Sequence, residues 1–200
     1  RNMNRRLPSR TPVTAALVAA ALALSIAACG DLTGVPASLP TVIDSGVNVY
    51  ALNGAPPNAP TALHVFTGQV FAADANFLFD IAFDLDASGN PLILPQRVVA
   101  SGLAATHSVG LQIASGTYES ITRAPSSGYR ADTTLAVKLN QTVLVQSSDP
   151  NACGVSLTGT SLYAKLVIRA IDPAARKLTL QYTVDPNCGF RSFLPGVPKD

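Results

Sequence analysis

Apolar and polar residues alternate along several stretches of the chain, and this period of two constrains the fold more than any other feature. Residues 77–86 show it most clearly, since successive side chains of an extended strand point to opposite faces. One predicted face carries five large apolar side chains: Phe77, Phe79, Ile81, Phe83 and Leu85. The other face carries three aspartates, Leu78 and Ala82. The stretch predicts a β-strand with one face against a core.

Short strands of this kind recur between turn signals. Residues 161–171 and 177–184 alternate as well, with turn-forming residues at 172–175 between them. Weaker strand patterns cover residues 47–52, 61–72, 92–100, 107–114, 133–139 and 142–147. Beyond the first thirty residues no window of eleven or more keeps a helical apolar stripe, and one-sided polar faces are typical of antiparallel sheets. We predict an all-β fold, an antiparallel β-sandwich of about nine strands.

The first thirty residues have the pattern of an export signal. A basic segment precedes an apolar run over 13–28, which is too short and too rich in alanine to span a bilayer stably. The run leads into Ile-Ala-Ala-Cys at 26–29, which resembles the lipobox of bacterial lipoproteins. The resemblance implies cleavage before Cys29, acyl chains on that cysteine and permanent anchoring in a membrane. The alternative is a conventional cleavage that leaves Cys29 as an ordinary cysteine.

The lipobox also implies a division of the chain and a location. Residues 1–28 are predicted to be a removed signal peptide, 29–45 a lipid-anchored flexible linker and 46–200 the β-sandwich domain. The residue after the lipidated cysteine directs the sorting of such lipoproteins. Gly30 lacks the aspartate associated with inner-membrane retention, which favours the outer membrane, whereas Asp31 one position later argues against it.

Charge excludes one class of partner. Four of the fourteen basic residues precede residue 28, so the rest of the chain has ten basic and twelve acidic residues. Nucleic-acid binding needs a cluster of lysine and arginine to neutralise phosphates. A mildly acidic body without such a cluster predicts that nucleic acid is not a partner.

Two cysteines stand in similar surroundings. Cys153 lies in Asp-Pro-Asn-Ala-Cys-Gly and Cys188 in Asp-Pro-Asn-Cys-Gly, each just past a predicted strand. If residues 142–147, 161–171 and 177–184 form a meander, both cysteines lie at one end of the sheet. In an oxidising exported compartment this predicts a disulfide bond between them. A metal or redox pair is the alternative, but two cysteines without nearby histidines do not make a zinc site.

Candidate metal ligands are sparse. Residues 84–89 resemble the start of a calcium loop, but its twelfth position, which needs a bidentate glutamate, is Pro95. A hairpin turn with solvated aspartates is the better interpretation. The only histidines, His64 and His107, share strand faces with apolar residues and are interpreted as core histidines. We therefore predict no metal site and no cofactor, with the two histidines as axial haem ligands left as an alternative.

Signals for catalysis are equally few. The nearest approach to a nucleophile elbow, at 154–159, has the wrong spacing, and Glu119 is the only glutamate. No phosphate-cradling glycine loop or HExxH motif occurs. The chain is predicted not to be an enzyme.

A second resemblance is confined to about a third of the domain. Residues 79–83, Phe-Asp-Ile-Ala-Phe, and 163–165, Tyr-Ala-Lys, are similar to elements of lipid-anchored, all-β haem-scavenging lipoproteins. The resemblance implies a β-sandwich and keeps haem or lipid binding as an alternative function. The chain has no tryptophan, and no motif places that family's histidine ligands on His64 or His107.

The segment most typical of a recognition loop covers residues 116–129. It contains two tyrosines and lies between predicted strands, where a rigid sandwich presents binding residues. A plain connection between strands is the alternative. The candidate binding residues are Tyr118, Arg123, Tyr129 and Arg130. The sequence thus predicts a lipid-anchored, non-enzymatic structural or interaction module of the cell envelope, with an envelope protein as candidate partner.

Overall fold

Eleven strands and two short helices make up the regular structure of the described chain. The computed structural model describes residues 36–73, 79–100, 107–154 and 160–199. The strands are β1 Val42–Tyr50, β2 Ala62–His64, β3 Gln69–Phe71, β4 Ile81–Leu85, β5 Pro91–Pro95, β6 Val109–Ile113, β7 Arg130–Ala131, β8 Leu135–Ala136, β9 Thr142–Ser147, β10 Leu162–Asp172 and β11 Lys177–Asp185. The helices are α1 Gln96–Val99 and α2 Pro150–Cys153. No helix in these ranges has the length and apolar character needed to cross a membrane.

The strands form two antiparallel sheets. One has six strands in the order β1-β11-β10-β9-β6-β7, and the other has five in the order β3-β2-β4-β5-β8. Apolar side chains from both sheets form the main core, which includes Leu63, Phe83, Leu111, Leu166 and Leu180. The all-β sandwich predicted from the alternating pattern is confirmed.

The strand count differs from the prediction of about nine in two places. Residues 61–72 form two strands, because Gly68, with a φ of 64°, allows a tight turn between β2 and β3. Strand β7 has only two residues, too few to produce an alternating pattern. The prediction of a strand over 92–100 is wrong beyond Pro95, where the chain turns into α1.

β1 begins earlier than the predicted domain boundary. Residues 42–45 belong to the predicted linker but pair with β11 in the register Val42 to Val184. β1 is an edge strand, and residues 43–46 are exposed, so burial does not impose a clear alternation there. Its ladder also shifts register between Ser45 and Val47, where Gly46 has a φ of 73°.

The alternation predicted for β4 is wrong at its start. Ile81, Phe83 and Leu85 face the main core, but Phe79 packs in a separate cluster with Ala62 and Ala82. The chain bends at Asp80, immediately before β4, so Phe79 does not continue the strand's period. Residues 77 and 78 lie outside the described ranges. All five residues of β4 are buried, because its outer face is covered as well.

One end of the six-stranded sheet is called the entry end here, since β1 begins there. β11 ends beside the start of β1, β10 begins opposite the end of β11, and Leu162 of β10 pairs with Ser147 at the end of β9. Cys153 in α2 and Cys188 after β11 both lie at this end. Their sulfurs are bonded at 2.05 Å with Cα atoms 5.6 Å apart, which confirms the predicted disulfide.

Candidate functional site

The predicted recognition loop, residues 116–129, lies on the outer face of the six-stranded sheet. Alternate residues of β10 point to opposite faces: Leu162, Ala164 and Leu166 join the main core, while Tyr163 joins a second cluster. Lys165 points to the same outer face and donates hydrogen bonds from Nζ to the carbonyls of Tyr118 and Ile121, each at 2.8 Å. The loop is therefore fixed to the sheet by a lysine that is only 5% exposed.

Tyr118 is part of that attachment rather than of an open surface. Its side chain is buried, its hydroxyl lies 2.7 Å from Thr183 Oγ1, and the Lys165 ammonium lies 4.2 Å from its ring centroid. Burial raises the pKa of the Tyr118 phenol and lowers the pKa of the Lys165 ammonium. The sequence predicts Tyr118 as a binding residue. In the structure it is a packing residue, because the sheet beneath it supplies its partners.

A small apolar cluster lies under the loop and the chain's C-terminal segment. It contains Ala124, Leu144, Tyr163 and Phe193, with Ile121 and Tyr129 packed against it. The backbones of Arg123 and Ser192 form an isolated antiparallel bridge beside it. The outer face of the sheet is thus covered by two segments that are joined to each other, which leaves a groove along their border.

This groove, called the Arg123 groove here, has a volume of about 530 Å³. Among the described residues, Arg123 and Arg191 are the cationic side chains that line it, and the described lining contains no carboxylate. The remaining lining consists of Gln112, Ala114, Ser115, Ile121, Ala124, Pro125, Ser126, Ser127 and Leu144. Guanidinium groups beside an apolar floor favour a ligand that combines a carboxylate or phosphate with a short apolar part.

Two of these groove residues escaped prediction from the sequence. Gln112 lies on β6 and Arg191 follows the disulfide, so only the fold brings them beside Arg123. Gln112 Oε1 is buried and has no hydrogen-bond partner among the described residues. Arg191 Nη1 donates to the carbonyl of Ala124 at 3.3 Å, which ties this guanidinium to the loop beside Arg123. No local sequence signal identifies either residue.

The other two predicted binding residues lie outside the Arg123 groove. Tyr129 packs against Tyr163 with ring centroids 6.2 Å apart, donates from its hydroxyl to the carbonyl of Pro125, and lines a smaller cavity of about 210 Å³. Burial raises its pKa. Arg130 is exposed on β7 and lines neither cavity. Of the four predicted residues, the structure brings only Arg123 into the groove.

A buried polar network joins the two sheets at the entry end. Asp80, fully buried before β4, accepts hydrogen bonds from the Val65 amide and the Ser147 hydroxyl, and its Oδ1 lies 3.0 Å from His107 Nε2. Burial alone lowers the pKa of His107, but the hydrogen bond and charge of Asp80 and the charge of Asp149 shift it upward overall. The carboxylate stands between serine and imidazole, so the imidazole is not placed to take the serine proton.

His64 occupies a more open position. Its Nε2 lies 3.6 Å from Asp149 Oδ2, and its Nδ1 lies 3.2 Å from Thr67 Oγ1. Neither histidine lines the Arg123 groove or the smaller cavity. Within the described ranges no group of three or more histidine, cysteine or acidic residues is arranged to hold a metal ion.

The calcium-like segment folds as a hairpin turn. Asp86 accepts hydrogen bonds from the side-chain amide of Asn90 and from the backbone amides of Asn90 and Ser88, and these bonds lower its pKa. Asp84 is not solvated as predicted: it is 5% exposed and pairs with Arg176 at 3.0 Å. Arg176 comes from the turn between β10 and β11, so this ion pair joins the sheets at the end opposite the entry end.

The fold and these sites define a disulfide-linked, two-sheet β-sandwich with a cationic groove on one outer face. No protein-family model, curated protein or solved structure matches the chain. The functional proposals below therefore depend on the residues themselves.

Proposed function

We propose that the protein is an exported lipoprotein of the cell envelope, anchored through acyl chains on Cys29, whose β-sandwich is a non-enzymatic structural or interaction module. Cys29 and the signal segment before it lie outside the described residues. Gly30 favours the outer membrane as the site of anchoring.

The observation that carries this proposal is the Cys153–Cys188 disulfide. It joins residues 35 positions apart and fastens the chain after β11 to α2. Such bonds persist in oxidising compartments outside the cytosol. This supports export independently of the signal-like N-terminal segment.

Support for a non-enzymatic role comes from the partners of the acidic and basic residues. Asp80 binds both His107 and Ser147 across the core. Asp84 pairs with Arg176, and Glu119, the only glutamate, pairs with Arg169. These contacts connect strands and loops, which is a structural use of groups that also serve in acid–base chemistry.

The covalent mass of the protein, purified from membranes of a bacterial host, tests the proposal. Export with lipidation predicts cleavage after Ala28, added acyl mass on Cys29 and the loss of two hydrogens to the disulfide. The Cys29→Ala variant is the control and should lack the acyl mass. A wild-type chain that remains unacylated in a host with an active lipoprotein pathway would contradict anchoring.

The Arg123 groove favours a second candidate function, binding of a small anionic ligand with an apolar part. Native mass spectrometry of the protein in mild detergent tests it by comparing intact and denatured masses. We expect a noncovalent adduct on the wild type and on Arg130→Gln, and its loss on the Arg123→Gln, Arg191→Gln double variant. An adduct that persists on the double variant would place the ligand elsewhere.

A further inference from the structure

Exposed large apolar side chains are concentrated at the entry end. Within the described residues six such side chains are exposed, and two of them, Ile113 and Leu139, lie toward the opposite end of the sandwich. The other four are Leu39, Ile43, Leu194 and Val197, with exposed fractions of 43%, 48%, 55% and 46%. These four residues are called the apolar entry face. Exposed apolar side chains that gather at one end, rather than being scattered singly, are typical of an interaction surface.

Hydrogen bonds hold the two segments of the entry face together. The Thr41 amide donates to the carbonyl of Gly196 at 3.0 Å, and its hydroxyl donates to the carbonyl of Leu194 at 2.8 Å. Leu39 and Ile43 lie two residues on either side of Thr41. The segment that carries Leu194 and Val197 is therefore attached between them.

Asn187 fixes the N-terminal side of this face. Its Oδ1 accepts hydrogen bonds from the amides of Ser38 and Leu39, each at 3.0 Å, and its Nδ2 donates to the carbonyl of Leu39 at 2.8 Å. Asn187 is itself buried beside Cys188 of the disulfide. The exposed apolar residues thus belong to a built surface rather than to a free chain terminus.

The same face is where the chain arrives from Cys29. Pro36 lies seven positions after Cys29, and an extended chain of that length spans at most about 25 Å. A tether this short keeps the entry face at a high effective concentration near the surface to which Cys29 is attached. Four half-exposed aliphatic side chains are too few for stable binding alone, but they suffice for contact under that constraint.

We propose that the apolar entry face rests on the surface of the bilayer that holds the acylated Cys29, with its side chains at the boundary between headgroups and acyl chains. This proposal rests on the proposed lipid anchor. Exposed Asp44 and Lys199 flank the face and stay in the headgroup layer. The domain then has a defined orientation on the membrane, with the end that carries Leu139 directed away from the lipid.

The absence of tryptophan from the chain makes this orientation measurable with a single added fluorophore. The full lipidated protein is reconstituted into phosphatidylethanolamine and phosphatidylglycerol vesicles, with or without bromine on the upper acyl carbons. Leu194→Trp reports from the entry face, and Leu139→Trp is the matched control from the opposite end, at 49% exposure. Val197→Trp is a second reporter should Leu194→Trp fail to fold.

We expect blue-shifted emission and strong quenching by brominated lipid at positions 194 and 197, with neither effect at position 139. Water-like, unquenched emission from both reporters, on protein that floats with the vesicles, would overturn the docked orientation while leaving the anchor intact. A blue shift that grows with protein density and is the same with and without brominated lipid would show that a second copy of the protein covers the face. That result would also overturn the docked orientation. Protein that does not float with the vesicles would refute the anchor itself, and the orientation with it.

Discussion

At the scale of single residues, the two aspartates of the β4 segment connect the sheets. Asp80 holds Val65, Ser147 and His107 at the entry end, and Asp84 holds Arg176 at the other. The alternating pattern predicts both on a polar face, yet each is at most 5% exposed. A buried carboxylate is tolerated only when hydrogen bonds and charges satisfy it, so these contacts are expected to matter for stability.

Asp80→Ala is expected to lower the free energy of unfolding by about 3–5 kcal/mol, because it leaves buried donors without an acceptor. Urea unfolding followed by circular dichroism measures the change. Asp44→Ala, at an exposed position of β1, is the control and should change stability by less than about 0.5 kcal/mol. Similar effects of the two substitutions would show that the Asp80 network contributes little.

His107 makes the same network sensitive to pH. Its pKa is raised overall, against the effect of burial, by Asp80 and Asp149, so the folded state favours the protonated imidazole. The stability that this provides is complete below the unfolded pKa of about 6.5 and is lost as pH rises through the higher folded pKa. The advantage of the wild type over His107→Gln in unfolding free energy should therefore be larger at about pH 6 than at about pH 9. A stability difference between wild type and His107→Gln that does not change with pH would contradict a raised pKa for His107.

At the scale of elements, the 116–129 loop is ordered by the sheet beneath it. Lys165 of β10 reaches two of its carbonyls, and Arg169, further along β10, pairs with Glu119. Loop position therefore depends on side chains far away in sequence. The groove that carries Arg123 depends on the same attachment.

Lys165→Met keeps the apolar stem but removes the ammonium, so the carbonyls of Tyr118 and Ile121 lose their donor. We expect a loss of about 2 kcal/mol in unfolding free energy, together with faster hydrogen exchange of loop amides such as that of Ser120. Lys138→Met, at an exposed position, is the control. A stable variant with unchanged loop exchange would mean that other contacts hold the loop.

At the scale of the whole molecule, the entry end collects several features that are distant in sequence. The disulfide, the Asp80 network and the apolar entry face all lie there, where β1 begins and β11 ends. The antiparallel arrangement brings them together because adjacent strands reverse direction. Attachment to a membrane through this end would leave the Asp84–Arg176 end facing the surrounding solution.

Removing the disulfide tests how much the bond contributes to the stability of the fold. For a loop of 35 residues the chain-entropy model predicts a loss of about 4 kcal/mol in the Cys153→Ser, Cys188→Ser double variant. Reduction of the wild type should lower its urea midpoint as far as the double substitution does. A reductant should not change the midpoint of the double variant. Equal midpoints for oxidised and reduced wild type would contradict a stabilising role.

Much of the candidate site was beyond prediction from the sequence. A cationic loop residue such as Arg123 is visible locally, whereas Arg191 and Gln112 join it only through tertiary packing. Tyr118 has the sequence features of a recognition residue, but Lys165 and Thr183 bury it. Exposure of a loop side chain depends on what the opposing sheet face presents, and no local pattern records that.

Local periodicity by itself determined that this chain forms antiparallel strands and that long strands such as β10 and β11 cover residues close to those predicted. The repeated Asp-Pro-Asn contexts likewise indicated the cysteine pair. Only the tertiary structure decided that β1 starts at Val42, that residues after Pro95 form a helix, and that Asp84 is buried. The reason is physical: alternation reflects which face of a strand is buried, whereas boundaries, edge strands and buried charges depend on partners distant in the chain.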